Sequence, residues 1–274
     1  MFHWIDLTVL WSKKNEYQQS FSSATPFKSL IIENFISHKK ASELASIFPD
    51  MTWEGWNNRS HEHQYLKQSC TDVSLIPEPL RTLIYELNSG PFLNLLSEIT
   101  GIKELLPDPN LIGGGLHMTR PGGTLTPHID FHVVKGLSLY RRLNFLVYLN
   151  QEWESGNGGE LELWNKKTDK IEKIVPPTLG TAVLFQTDDD SPHGFTNPVA
   201  GKNRQSIAMY YYTAQDADVY SGDGATYWRS DSAAKSPAGR TRLLLQRWLL
   251  FLARVCSSLS WRFHTLASLT SKRD

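Results

Sequence analysis

Apolar and polar residues follow two different rhythms along this chain. In the first hundred or so positions the apolar residues are mostly helically spaced. Leu30–Ile36 reads as a short strand, after which Ser37 caps a helix whose apolar positions are Ala41, Leu44, Ala45 and Phe48, closed by Pro49. Arg81–Leu87 and Pro91–Thr100 predict two further helices, the second opened by Pro91 in its first turn and stopped by Gly101. Between the first helix and these two, Trp53–Ser69 mixes Trp, Asn, His and charge with no clear period, which predicts a long surface segment or a lid over a binding site. Residues 1–25 end in a polar run, Gln19–Thr25, and predict a loose arm or edge segment.

After Leu105-Leu106-Pro107-Asp108-Pro109 the rhythm changes to short apolar runs punctuated by Gly, Pro, Asn and Asp. Strands are predicted at Leu111–Thr119, around His128, and over Leu143–Asn150, Gly159–Trp164, Ile171–Val175, Thr181–Gln186, His193–Phe195 and Gln205–Thr213, with Pro121-Gly122-Gly123 as a turn. The glycine triplet Gly113-Gly114-Gly115 marks backbone that passes close to something or twists sharply. This series predicts a mainly β protein of α+β class: two packed sheets of jelly-roll type over 106–213, buttressed by a helical part over 26–105, within a domain spanning 26–231.

Residues 232–239 have the composition of a flexible linker. From 240 to 274 the chain predicts an amphipathic basic helix, with Arg240, Arg247 and Arg254 recurring at heptad spacing beside a wide apolar face. Such a face serves self-association, packing on its own domain, or peripheral membrane contact. No stretch reaches the roughly 18 uninterrupted apolar residues of a membrane span, and the N-terminus lacks the ordered features of a signal peptide.

Composition narrows the function. A formal net charge of zero argues against a dedicated nucleic-acid binder. The two cysteines, Cys70 and Cys256, form neither a disulfide framework nor a thiolate zinc site, so a reducing cytoplasm is the simplest compartment.

The chemistry gathers on few residues. In an extended strand side chains alternate faces, so His128 and Asp130 point the same way and can grip one metal ion, with His193 on a returning strand as third ligand. Two imidazoles and one carboxylate on one side of a metal leave the opposite positions open, the facial arrangement of non-heme Fe(II) oxygenases. Arg204 starts a strand that can carry its guanidinium into the same roll, where a bidentate carboxylate is its natural partner. Asn144, Leu146 and Tyr148 share one strand face, so the Tyr148 hydroxyl can stand beside that arginine. Taken singly, these groups are equally an ordinary surface charge and a core aromatic. His132, four residues after His128 and hence on the same strand face, and His117 are candidates for the substrate side, as are Arg120 and Arg141; solvated surface roles suit all four as well.

With those residues on the page, the chain over about 26–213 resembles the Fe(II)/2-oxoglutarate dioxygenases of the prolyl-4-hydroxylase-like branch. The resemblance rests on an ordered series: Gly113-Gly114-Gly115-Leu116-His117, His128-Ile129-Asp130, Arg141–Asn150, Gly158–Trp164, and Ser191-Pro192-His193-Gly194 with Arg204. It implies a double-stranded β-helix, iron(II) held by His128, Asp130 and His193, and 2-oxoglutarate whose far carboxylate meets Arg204 and Tyr148. It further implies oxidative decarboxylation of 2-oxoglutarate by O₂ to succinate and CO₂, with ascorbate as an accessory reductant. The carboxylate at Asp130 favours hydroxylation over the halogenation seen in relatives that lack it. A small molecule, a glycoconjugate and a peptidyl residue all suit such a core as substrate. Other functional classes compatible with the pattern are a non-catalytic metal-binding or sugar-binding roll and a metal-dependent isomerase of cupin type.

Overall fold

The computed structural model describes residues 2–58, 61–134, 136–214 and 226–228. The linker and basic helix expected beyond 231 lie outside the described residues. The chain begins with two helices, α1 (Leu7–Ser12) and α2 (Lys14–Ser23), followed by strand β1 (Ser29–Ile32) and helix α3 (His38–Ser46). A short pair, β2 (Asn57–Asn58) and β3 (Gln64–Cys70), precedes helices α4 (Glu78–Leu87) and α5 (Gly90–Thr100). Then come β4 (Gly115–Ile129), β5 (Val133–Val134), β6 (Leu139–Tyr148), β7 (Leu161–Asn165), β8 (Lys170–Val175), β9 (Ala182–Gln186), β10 (His193–Phe195), β11 (Arg204–Thr213) and β12 (Tyr227–Trp228). Among the described residues no helix is long and apolar enough to cross a membrane.

The strands form one curled, antiparallel sheet in the order β1-β9-β6-β11-β4-β10-β7-β8, with β3 and β12 added against β4. This is the jelly-roll topology expected from the strand rhythm, with one informative difference. Leu111–Thr119 and the His128 run are not two strands joined by a turn. They are one fifteen-residue strand, β4, whose first half pairs with β11 and whose second half pairs with β10. Pro121-Gly122-Gly123 bends it rather than ending it. Gly122 adopts φ +86°, and its N–H and the Gly123 carbonyl exchange bonds with Val199, so the stretch never leaves the hydrogen-bonded network.

Period-two alternation on β6, β9 and β11 sorts the interior into two sides. Leu143, Phe145 and Val147, with Leu184, Ile207, Met209 and Tyr211, pack outward against the helices in one large core. Leu146, Tyr148, Val183 and Phe185 face the inside of the roll with Leu161, Leu163 and Val175. From Leu143 to Tyr148 the even-numbered residues of β6, with those of β11, therefore line the cavity side, and a register shift between Tyr211 and Tyr212 lets the odd-numbered Arg141 reach it as well.

Two regions depart from the sequence expectation. Residues 64–70 are a true strand, because β3 pairs with β4 from Gln64↔Leu125 to Cys70↔Leu116. The first 25 residues are not a loose arm: Trp4, Ile5, Leu10, Tyr17 and Phe21 are buried in the main core. Their entry is fastened by the Glu86 carboxylate, which accepts the backbone N–H groups of His3, Trp4 and Ile5. Replacing Glu86 with alanine leaves those donors unpaired, and charge-assisted bonds of this kind contribute about 1.5–3 kcal/mol each way. The Glu86→Ala protein is expected to lose about 2–4 kcal/mol of stability, read from its urea denaturation midpoint, with the N-terminal helices becoming the first site of proteolysis.

Candidate metal and cosubstrate site

The register of β4 and β10 sets His128 directly opposite His193, with ring centroids 4.5 Å apart. Asp130 follows just past the end of β4. One ligand atom from each of His128, Asp130 and His193 lies within 4.8 Å of the others, and all three residues are buried. The structure thus brings the three expected ligands together.

The tautomers of both histidines follow from their partners. Nδ1 of His128 lies 2.9 Å from the Thr126 carbonyl and Nδ1 of His193 lies 3.0 Å from the Ser191 carbonyl. A carbonyl only accepts, so each Nδ1 carries a proton, and in the neutral ring the lone pair sits on Nε2. Those Nε2 atoms stand 3.4 Å and 3.9 Å from the Asp130 carboxylate oxygens. Burial, with the neighbouring His128, pushes the His193 pKa down to about 4, so its ring is neutral at pH 7. Burial alone would raise the Asp130 pKa, but the Arg141 charge and the His128 ring hold it well below the usual carboxylate range. Two imidazoles and an ionised carboxylate converging in a buried pocket are a donor set that suits a divalent N,O-coordinated metal such as iron(II).

A second polar centre stands at the start of β11. Arg204 is 6% exposed; its Nε donates to the Gly159 carbonyl at 2.7 Å and one terminal nitrogen donates to the Tyr148 hydroxyl at 3.3 Å. Its guanidinium lies over the Phe195 and Tyr148 rings, at 4.5 Å and 4.9 Å. Gly159 is needed here: it adopts φ +65°, and a Cβ would come within 3.0 Å of the Arg204 side chain. Burial lowers the Arg204 pKa and raises that of Tyr148. This is a cation prepared to receive an anion and held in place by neutral groups.

The remaining candidates fall in unexpected places. His117 pairs across the sheet with Ser206, which pairs with Tyr148, so it belongs to the Arg204 centre. Burial, with Lys67 and Arg204 nearby, pushes its pKa well below the ordinary imidazole value. Arg120 follows Thr119, which is paired with Arg204, and alternation turns Arg120 away from the cavity. His132 is fully buried, with Nδ1 3.4 Å from the Asp189 carboxylate. Its expected alignment with His128 fails because β4 ends at Ile129 and the period of two ends with it. Arg141 is 1% exposed, and its Nη1 lies 3.2 Å from Asp130 Oδ2.

Several groups at the site escaped sequence reasoning. Asn144 donates to Asp130 Oδ2 at 2.9 Å; its place on the Tyr148 strand face was the available clue. Trp228 on β12 pairs with His128, its indole 4.7 Å from that ring, and His63 stacks on the indole at 5.0 Å with an interplanar angle of 9°. From the 53–69 segment, expected as a surface segment or a lid, His63 thus approaches His128 with Trp228 between them.

Residues 114–212 match the family model of the 2OG-Fe(II) oxygenase superfamily. Comparison with curated protein sequences gives no match. Among solved structures, the chain is similar to a prolyl 4-hydroxylase from Phytophthora capsici, with a TM-score of 0.54 and 20% identity over 91% of this chain and 75% of that one. It is also similar to a prolyl hydroxylase from Trichoplax adhaerens, crystallised with a hypoxia inducible factor oxygen degradation domain peptide, with a TM-score of 0.53 and 18% identity over 76% of this chain and 93% of that one. A prolyl-4-hydroxylase from Pseudomonas putida gives a TM-score of 0.50 and 18% identity, covering 72% and 98%. At these identities the three structures share the fold.

Proposed function

Because residues 114–212 match the family model of the 2OG-Fe(II) oxygenase superfamily, we propose that the protein is an iron(II)- and 2-oxoglutarate-dependent dioxygenase that hydroxylates an unactivated C–H bond. In this reading His128, Asp130 and His193 hold the iron, and Arg204 with Tyr148 receives the far carboxylate of 2-oxoglutarate. The observation that carries it is the pairing of two centres inside one roll: a buried His-Asp-His cluster and a buried arginine whose hydrogen bonds among the described residues go to a carbonyl and a phenol. A non-catalytic metal module or a cupin-type isomerase needs the first centre and has no use for the second.

When bound, iron and 2-oxoglutarate supply O₂ activation coupled to oxidative decarboxylation of the cosubstrate to succinate and CO₂. The side chains bind and orient. The Thr126 and Ser191 carbonyls fix both imidazoles with Nε2 inward. Arg204 sets the register of a dicarboxylate, and the Phe195 and Tyr148 rings beside it exclude water from that charge pair. His63 and Trp228 wall the approach to His128 and are the first side chains to consider for substrate contact. No side-chain acid or base is required, since the hard chemistry belongs to the metal and cosubstrate.

A small molecule, a glycoconjugate and a peptidyl residue all suit this roll as substrate, since specificity lives in grafted loops rather than in the roll. Full-length protein incubated aerobically with Fe(II), 2-oxoglutarate and ascorbate is expected to form succinate, and candidate substrates that stimulate it identify the class. A protein that neither binds 2-oxoglutarate in the presence of a divalent metal nor forms succinate would sink this reading.

A further inference from the structure

The Asp130 carboxylate is approached unevenly. Oδ2 receives two donors, Arg141 Nη1 at 3.2 Å and Asn144 Nδ2 at 2.9 Å, and lies 3.9 Å from His193 Nε2, whereas Oδ1 stands closer to a ligand nitrogen, 3.4 Å from His128 Nε2, and has neither donor. We propose that Arg141 is a positioning residue that occupies Oδ2 and presents Oδ1 alone to the metal, so that Asp130 binds through one oxygen. The proposal rests on the reading of Asp130 as a metal ligand.

Arg141 is itself held from every side. Its guanidinium lies between the rings of Phe131 and Tyr210, 3.8 Å and 3.5 Å from their centres, and Nη2 donates to the Ile112 carbonyl at 3.0 Å. That carbonyl is brought in by the glycine triplet: Gly113 adopts φ +78°, and its Cβ position is 3.6 Å from the same nitrogen. The backbone N–H of Arg141 donates to the His132 carbonyl at 2.7 Å. Arg141 therefore grips the 130–132 segment twice, by side chain at Asp130 and by main chain at His132, just where β4 has ended and its ladder no longer fixes the backbone. With both faces covered and the residue 1% exposed, the guanidinium offers no face to a substrate. Tyr210 and Tyr212 are kept neutral around it, their pKa values raised chiefly by burial. Asp130 is in ion-pair contact with it.

One oxygen from Asp130 and one nitrogen from each histidine leave three positions of a six-coordinate metal free, whereas a chelating carboxylate would take a fourth. Holding Oδ2 away from the metal therefore protects the positions that cosubstrate and O₂ require.

The test uses full-length protein with Mn(II) and Co(II) as redox-stable probes. Arg141→Met approximates the side-chain volume and removes the charge; circular dichroism and thermal melting establish that it is folded. Loss of an outer partner of a metal ligand typically costs 10–100-fold in metal affinity. Arg141→Met is therefore expected to bind Mn(II) more weakly by about that factor and to show altered visible bands with Co(II), while Arg141→Lys recovers part of both. A folded Arg141→Met protein with wild-type Mn(II) affinity and an unchanged Co(II) spectrum would overturn the proposal. Should Arg141→Met not fold, Arg141→Gln is judged by the same two readouts. A wild-type protein that binds neither Mn(II) nor Fe(II) would remove the metal-site reading itself, and this proposal with it.

Discussion

Asp130→Asn is expected to abolish succinate formation from 2-oxoglutarate and to weaken divalent metal binding by at least about a hundredfold, the upper end of what even outer partners of metal ligands cost. Asparagine conserves the shape of the side chain and can still accept from Arg141 and Asn144, which isolates the lost charge. Alanine would be a poorer choice. It strands the Arg141 guanidinium without its ion-pair partner at 1% exposure, and breaking a buried pair on one side costs about 3–5 kcal/mol. Failure of Asp130→Ala could then reflect unfolding. His128→Ala tests the same centre from the other strand, and its expected result is also loss of both metal binding and turnover. The measurements are calorimetric titration with Mn(II) and quantification of succinate. Wild-type succinate formation in Asp130→Asn would exclude this cluster as the iron site.

The parts of this site that were legible in the sequence are those fixed by strand periodicity. His128 lies on a strand, Asp130 lies one residue past its end, and Tyr148 shares a face with Asn144; alternation places such groups before any tertiary contact is known. His193 was legible as a residue of a returning strand, although its register opposite His128 was not. Periodicity fails where strands end. Strict alternation would put His132 on the His128 face, but β4 stops at Ile129 and the ring turns into a buried position near Asp189. It also fails for charged residues that a ring sandwich buries. Nothing in the order Arg141-Arg142 distinguishes the first, buried between Phe131 and Tyr210, from the second, whose side chain reaches Thr213. Bent strands are a third case. Pro121-Gly122-Gly123 carries every mark of a turn, and only its bonds to Val199 keep the strand whole. The N-terminal helices were readable in principle, since Leu10, Tyr17 and Phe21 recur at helical spacing. Polar neighbours obscured them, and the Glu86 contacts that fasten them come from far along the chain.

Arg204→Met is expected to separate cosubstrate binding from metal binding. In the wild type a buried guanidinium is held by the Gly159 carbonyl, the Tyr148 hydroxyl and two rings, none of which carries a negative charge. A dicarboxylate entering this site forms charge-assisted hydrogen bonds in a dry environment, where they exceed their value in water. Truncating one partner of such a pair costs about 2–5 kcal/mol. The concentration of 2-oxoglutarate needed for half-maximal turnover is therefore expected to rise roughly a hundredfold, the factor that corresponds to about 2.8 kcal/mol. Mn(II) affinity should stay within about twofold, because Arg204 makes no contact with the metal cluster. Stability should respond in the opposite sense to function. Burying a cation without an anion is costly, and an apolar side chain of similar length removes that cost, so the ligand-free Arg204→Met protein should melt at or above the wild-type temperature. Saturating 2-oxoglutarate with Mn(II) should raise the melting temperature of the wild type by mass action and that of the variant far less. The opposite pattern, with metal binding lost and cosubstrate affinity intact, would place Arg204 in support of the metal ligands and leave the far carboxylate without its anchor.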